Sequence, residues 1–228
     1  MVGAALLGAS PAEAVAQGRM PDVGIHAGLQ SFDPGTALEH AAFVGLDAAY
    51  ALPWQPLSRL ARGSTLGVAL VIDGSRPVTR GTQFPLVARD VGDTTFLVAM
   101  AQRITLVQVG VAGVLGVPIG RSWAYGFAGA GTYTMRLDPR AQRRIASVTH
   151  PMATFGGGLR HALARSLVVR VEARAVRFTD FHRDQLDATP PALADRLIRD
   201  ALPPPHTTSR TPTNAQYSIG IEYRPGRE

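Results

Sequence analysis

The stretch Leu167-Val168-Val169-Arg170-Val171-Glu172-Ala173-Arg174-Ala175-Val176-Arg177-Phe178 alternates with a period of two. One face reads Leu167, Val169, Val171, Ala173 and Ala175, and the other carries Arg170, Glu172 and Arg174. Successive side chains of a β-strand point to opposite sides, so the pattern predicts a strand with two chemically distinct faces. The fold turns on which face meets water. A soluble sandwich or barrel would expose the charges and bury the aliphatics. A membrane barrel would set the aliphatics against hydrocarbon and pair the charges inside a narrow lumen.

Composition narrows the choice. The chain has 228 residues, enough for one domain, or two small ones, with a full core. Hydrophobic residues make up 46%, yet no run approaches the ~20 apolar residues of a transmembrane helix. Strands that cross a membrane need only ~9 to 11 alternating residues each, so a membrane barrel stays open. The 24 glycines and 17 prolines suit a turn-rich β protein. With no cysteine there are no disulfides or thiolate metal sites. All 23 basic residues are Arg, and they are scattered over strands and loops with no basic run, which argues against a nucleic-acid partner despite the net charge of +6. Near the start, the apolar run Ala4 to Ala9 and then Ala14-Val15-Ala16 before Gln17 have the small-x-small form of a signal-peptidase site. Residues 1–16 are accordingly read as an export signal and 17–22 as a short lead-in.

From Val23 onward the two-residue alternation keeps returning, broken by Gly, Pro, Asp and Ser clusters. A first strand, Val23 to Phe32, sets Val23, Ile25, Ala27 and Leu29 against Gly24, His26, Gly28 and Gln30, and Asp33-Pro34-Gly35 ends it. A second, Ala42 to Leu52, sets Val44, Leu46, Ala48 and Tyr50 against Phe43, Gly45 and Asp47. The third, Thr65 to Asp73, opposes Leu66, Val68, Leu70 and Ile72 to Gly67, Ala69 and Asp73, and a long polar loop follows to about Thr95. The fourth lies within Phe96 to Val117, with Val107, Val109, Val111, Leu115 and Val117 opposite Gln108, Gly110 and Ala112. The fifth, Trp123 to Met135, is read with Trp123, Tyr125, Phe127, Tyr133 and Met135 on the apolar face and Ala124, Gly126, Ala128 and Ala130 on the other. After a basic loop come a sixth strand, Met152 to Leu163, and the opening stretch as seventh. A gap from Thr179 to Thr213, with a short helix expected near Leu193 to Leu202, leads to an eighth strand, Ala215 to Tyr223.

Three features assign the inside. The connectors after the second, fourth and sixth strands are shorter than those after the third, fifth and seventh, the arrangement of an antiparallel outer-membrane barrel. Gly24, Gly28, Gly45, Gly67, Gly110, Gly126, Gly156, Gly158 and Gly220 are read on the polar face, and an eight-stranded interior is just wide enough for side chains, so small residues belong there. Tyr50, Trp54, Trp123, Tyr125, Tyr133, Tyr217 and Tyr223 sit near strand ends and are read as interfacial girdles.

With the Arg170-to-Arg174 strand, the Gly129-Ala130-Gly131-Thr132-Tyr133 segment and a last strand ending in Tyr223 in view, the chain resembles the small eight-stranded outer-membrane β-barrels, including the OmpA-like transmembrane domain, over Val23 to Arg224. The resemblance implies an all-β, eight-stranded antiparallel up-and-down transmembrane β-barrel (23–224, with tail 225–228), having short periplasmic turns and longer extracellular loops. It also implies a location in the bacterial outer membrane, a monomer, and a last strand recognised by the barrel-assembly machinery; five residues after the aromatic, Arg224 to Glu228, depart from that signal.

Arg160, Arg170, Glu172, Arg174 and Glu222 share the lumen parity on consecutive strands, and Asp47, with Asp73 and His26, is placed to join them. Charges in so tight a space need partners, so an ionic network filling the barrel is expected, with at most a narrow pore. Arg136, Arg140, Arg143 and Arg144 in the basic loop are candidates for lipopolysaccharide phosphates. No catalytic group, cofactor or metal site is expected. The alternatives are a soluble exported lipocalin-like binding barrel and a lipid A-modifying enzyme, the latter resting on His161 compared with the His and Ser of such enzymes.

Overall fold

The computed structural model describes residues 20–52, 64–79, 86–91, 94–99, 103–137, 147–181 and 211–225. The strands are β1 (Asp22–Ser31), β2 (Ala41–Ala51), β3 (Thr65–Ser75), β4 (Leu86–Val91), β5 (Thr94–Ala99), β6 (Ile104–Ile119), β7 (Ser122–Leu137), β8 (Ser147–Ala162), β9 (Leu167–Phe178) and β10 (Thr213–Tyr223). Eight of them close a barrel in the order β1-β10-β9-β8-β7-β6-β3-β2, and β4 and β5 form a separate hairpin. Each barrel strand pairs antiparallel with its neighbours, and β1 closes on β10 through pairs such as Ile25 with Ile221 and Leu29 with Tyr217. Closure leaves no free edge, which is the condition for a sheet in hydrocarbon.

The ends differ, though not in every connection. β6 and β7 are joined at Gly120-Arg121, where Gly120 takes the left-handed φ of 62° that a tight turn requires. Leu163 to Ser166 joins β8 to β9. At the other end the β3–β6 and β9–β10 connections are long, but 32–40 and 138–146 are shorter than the β2–β3 connection, 52–64, which lies at the turn end, against the expectation. The 32–40 connection carries a 3-10 turn, Pro34–Thr36, capped by Asp33, whose Oδ1 accepts from the Gly35 amide at 2.8 Å. The long polar loop expected before Thr95 contains the β4–β5 hairpin instead. β8 begins at Ser147 rather than Met152, and Arg136 lies in β7 rather than in a loop. The helix expected near Leu193 to Leu202 lies outside the described residues, as do Trp54, Arg140, Arg143 and Arg144.

On β9 the opening stretch reads in one direction only. Val168, Arg170, Glu172, Arg174, Val176 and Phe178 are buried, while Val171 and Ala173 are exposed. The same parity holds on β1, β2, β3, β6 and β10, so the outer wall is a continuous belt of Val, Leu and Ile, with Ile25, Val44, Leu70, Val111 and Ile219 all exposed. That excludes the lipocalin-like alternative, whose apolar face would turn inward around a ligand.

β7 corrects the sequence reading. Tyr125, Tyr133 and Met135 are buried inside the barrel, and the small residues Gly126, Ala128 and Ala130 face out. The rule that the small face is the inner face fails here for a physical reason. Against hydrocarbon the Tyr125 hydroxyl would find no partner, whereas inside it donates to Glu172 Oε2 at 2.6 Å. Small apolar side chains, by contrast, lose nothing by facing hydrocarbon.

Candidate functional site: the filled lumen

Four layers fill the barrel. The second from the turn end is ionic. β9 supplies Arg170, Glu172 and Arg174 from alternate positions, so the three side chains stack along the inner wall. Arg170 Nη1 and Nη2 donate to Asp47 Oδ2 and Oδ1 of β2 at 2.9 and 2.5 Å, the two-pronged geometry that suits a guanidinium to a carboxylate. Nη1 also reaches Glu222 Oε1 of β10 at 3.2 Å, and Nη2 donates to His26 Nδ1 of β1 at 2.7 Å. With Nδ1 accepting, the ring proton belongs on Nε2, where it donates to Asp73 Oδ1 of β3 at 2.7 Å. Arg174 binds Glu172 Oε1 through Nε and Nη2 at 3.0 and 2.6 Å, and its Nη1 donates to Asp73 Oδ2 at 2.7 Å. β9 and β3 stand four places apart in either direction round the ring of eight. The Arg174–Asp73 pair therefore spans the full lumen.

Glycines make room for this layer. A Cβ at Gly45 would overlap the His26 ring and the Asp73 carboxylate, and one at Gly24 would lie 2.8 Å from Asp47 Oδ1. The free space left among Asp47, Asp73, Arg170, Glu172 and Arg174 is a cavity of about 30 Å³, on the order of one water molecule.

Toward the turn end, Arg160 pairs with Glu222 at 2.9 Å and its guanidinium lies 4.4 Å from the centre of the Tyr125 ring. Arg224 pairs with Asp22 at 3.3 Å and lies 5.0 Å from the Trp123 ring. Arg174 likewise sits 5.3 Å over Phe127. The inner face of β7 is thus an aromatic ladder under three guanidiniums, each contact drawing the cation to the ring face.

Above the ionic layer, Gln30, Gln108, Gln216 and Ser75 are linked by hydrogen bonds of 3.2 to 3.3 Å. An apolar cluster closes the loop end: Phe32, Leu38, Ile104, Leu106, Tyr133, Met135, Met152, Val176, Phe178 and Phe181. Phe178 stacks on Tyr133 at 4.0 Å between centroids, and the Tyr133 hydroxyl donates to the Thr179 carbonyl at 3.0 Å.

The expected network residues Arg160, Arg170, Glu172, Arg174, Glu222 and Asp47 all face the lumen: Arg160, Glu222, Arg170 and Asp47 touch one after another, and the Arg174–Glu172 pair joins them through Asp73 and His26. Of the expected girdle, Tyr50, Tyr217 and Tyr223 are exposed on the outer wall, whereas Trp123, Tyr125 and Tyr133 belong to the inner face. The sequence reading missed Arg224 and Asp22 as lumen groups; it placed Gln30, Gln108 and Gln216 on the inner face, with His26, Gly110 and Glu222, but did not join them into a layer. His161 is exposed at the turn end and does have a serine beside it: Ser122 Oγ lies 2.9 Å from its Nδ1. Among the described residues no carboxylate is hydrogen-bonded to the other ring nitrogen.

No protein-family model matches the chain, and no curated protein matches it in sequence. Solved structures do. Neisserial surface protein A superposes over 90% of this chain and 96% of its own with a TM-score of 0.50 at 8% identity. The fold is that of a small outer-membrane barrel. Ail, the attachment invasion locus protein of Yersinia pestis, is similar over 90% of this chain and 99% of its own at 11% identity, with a TM-score of 0.43. The N-terminal barrel domain of Pseudomonas aeruginosa OprF is similar over 90% and 98%, with a TM-score of 0.37 at 11% identity.

Proposed function

We propose that this chain is a monomeric outer-membrane barrel with a structural or surface-interaction role, its lumen held shut against wide conduction. The Arg174–Asp73 pair carries this reading, because it ties opposite walls together across the lumen. The apolar cluster at the loop end supports it, since water and ions would have to displace close-packed side chains. The exposed apolar belt supports placement in the membrane, and the last strand, with Ile219, Ile221 and Tyr223 outward, suits recognition by the assembly machinery. The reading is non-catalytic, with Ser122 and His161 an exposed hydrogen-bonded pair at the turn end.

Reconstitution into planar bilayers tests it. The wild-type barrel is expected to give no wide-pore current steps, and substitution of the plug, as in Arg174→Ala with Phe178→Ala, is expected to introduce them. Large, stable steps from the wild type would overturn the reading.

A further inference from the structure

Pairing between strands allows the outer wall to be read row by row. Gly74, Val107, Thr134 and Thr149 lie side by side on β3, β6, β7 and β8. Below them the wall is apolar on β3 and β6, through Ile72 beside Val109 and Leu70 beside Val111. Above them it becomes cationic. Thr105 pairs with Arg136, and Arg76, next to the Ser75–Leu106 pair, falls beside Thr105. Arg103 lies two residues beyond Thr105 with the same outward parity and bridges Val78, two residues beyond Arg76. Arg76, Arg103 and Arg136 are all exposed, and none makes an ion pair with another described residue. Three guanidiniums from distant parts of the chain thus converge just above the hydrocarbon belt.

The wall beneath this cluster has an unusual relief. The outward residues of β7 are Ala124, Gly126, Ala128, Ala130, Thr132 and Thr134. Their neighbours include Gly113 on β6, paired with Ala128, and Gly157 and Ala153 on β8, paired with Gly126 and Ala130. Larger side chains flank the strip, Val111 and Leu115 on one side and Phe155 and Leu159 on the other. The result is a shallow apolar track leading up to Thr134 and Thr149, whose hydroxyls are 2.8 Å apart, and then to the arginines.

We propose that Arg76, Arg103 and Arg136 seat the phosphates of a multiply acylated phosphoglycolipid of the outer leaflet, with its acyl chains lying along the β7 track; this rests on the reading that the loop end faces outward from an outer membrane. Charge and shape together select that occupant. Guanidinium matches phosphate oxygens in charge and in two-pronged geometry. A track without protruding side chains accepts extended chains in close contact, and the threonine pair stands where ester and hydroxyl groups of the ligand would fall. A second copy of this barrel is a poorer fit. Two copies in one membrane related by a twofold axis would apply the same patch to itself, setting three arginines against three.

The site differs from the basic-loop prediction, since only Arg136 is shared. Binding of bisphosphorylated lipid A to the purified, folded protein in detergent, followed by native mass spectrometry, is the test. Wild type is expected to hold one lipid A. The triple variant Arg76→Gln/Arg103→Gln/Arg136→Gln is expected to bind at least about tenfold more weakly, the scale of one lost charged hydrogen bond. Arg121→Gln/Arg165→Gln, at the turn end, should bind as wild type does. Ala128→Leu fills the track with the arginines in place and should also weaken binding, so the test survives if the triple variant fails to fold. Lipid A stripped of its phosphates should bind wild type no better than intact lipid A binds the triple variant. Millimolar inorganic phosphate should not compete; full competition would mean an anion site with no lipid component. Equal binding by wild type, the triple variant and Ala128→Leu would overturn the proposal, as would a wild-type dimer that excludes lipid. Neither result would alter the conductance behaviour on which the closed-lumen reading stands.

Discussion

Replacing Arg170 by Met removes the group on which three other side chains converge. Its Nη atoms serve both oxygens of Asp47, one oxygen of Glu222 and the Nδ1 of His26. Charged hydrogen bonds contribute ~1.5 to 3 kcal/mol each, but the losses do not simply add. Glu222 keeps Arg160 at 2.9 Å, and His26 keeps its hydrogen bond to Asp73 at 2.7 Å. The expected loss is therefore that of one broken buried pair, ~3 to 5 kcal/mol, most of it from leaving the Asp47 carboxylate uncompensated. Equilibrium urea unfolding from lipid vesicles, followed by the fluorescence of Trp54 and Trp123, measures it. Two further variants separate causes. Arg170→Lys keeps the charge but not the two-pronged fork, and should fall between wild type and Met. Arg170→Met/Asp47→Asn removes both charges and should recover part of the loss, with a coupling of ~0.5 to 3 kcal/mol. Added salt should change none of these differences much, because the pair is shielded from solvent. An Arg170→Met barrel within ~1 kcal/mol of wild type, where an unpaired buried carboxylate should cost several times that, would refute the claim that the lumen charges depend on one another.

The other predictions address other layers. Tyr125→Phe deletes the donor to Glu172 at 2.6 Å and should cost ~1.5 to 3 kcal/mol in the same unfolding assay; a neutral result would mean that the ring faces lipid. Val111→Arg places a charge in the middle of the outer belt, where Val111 is 52% exposed, and should destabilise the barrel by ~2 to 4 kcal/mol in vesicles. Phe178→Ala opens the fully buried cluster at the loop end and should cost ~3 to 5 kcal/mol, measurable as a lower urea midpoint.

The legible part of this fold was the part where side-chain period and chemistry agreed. On β9, Val and Ala alternate with Arg and Glu, so one observation fixed both the strand and its inner face. β1, β6 and β10 carry the same signal through His26, Gln108 and Glu222. β7 carried none. Its two faces are aromatic and small, and either could meet hydrocarbon on hydropathy alone. What decided its parity was lateral: the guanidiniums of Arg160, Arg174 and Arg224 need faces to stack on, and the Tyr125 hydroxyl needs Glu172. Those requirements reach β7 from β8, β9 and the end of β10, which no local window contains. The β4–β5 hairpin was missed for a related reason, since its Leu86–Val91 and Thr94–Ala99 runs are short and one of them carries Arg89 and Asp90.

The same lateral requirements explain what the buried charges do for the fold. A well-packed apolar lumen would be at least as stable as an ionic one, because desolvation offsets much of the attraction between buried ions. It would not, however, resist a slip of register. A shift of one residue in β9 would turn Arg170, Glu172 and Arg174 outward into hydrocarbon, at ~2 to 4 kcal/mol for an Arg near the bilayer midplane. It would also strip Asp47 and Asp73 of their partners at the same moment. Asp73 and Arg174 are 101 residues apart in sequence and on opposite walls, so their pair can form only when every strand between them is in register. The charged face of Leu167 to Phe178 thus acts as a check on closure of the whole barrel, a role that an aliphatic filling of equal volume could not perform.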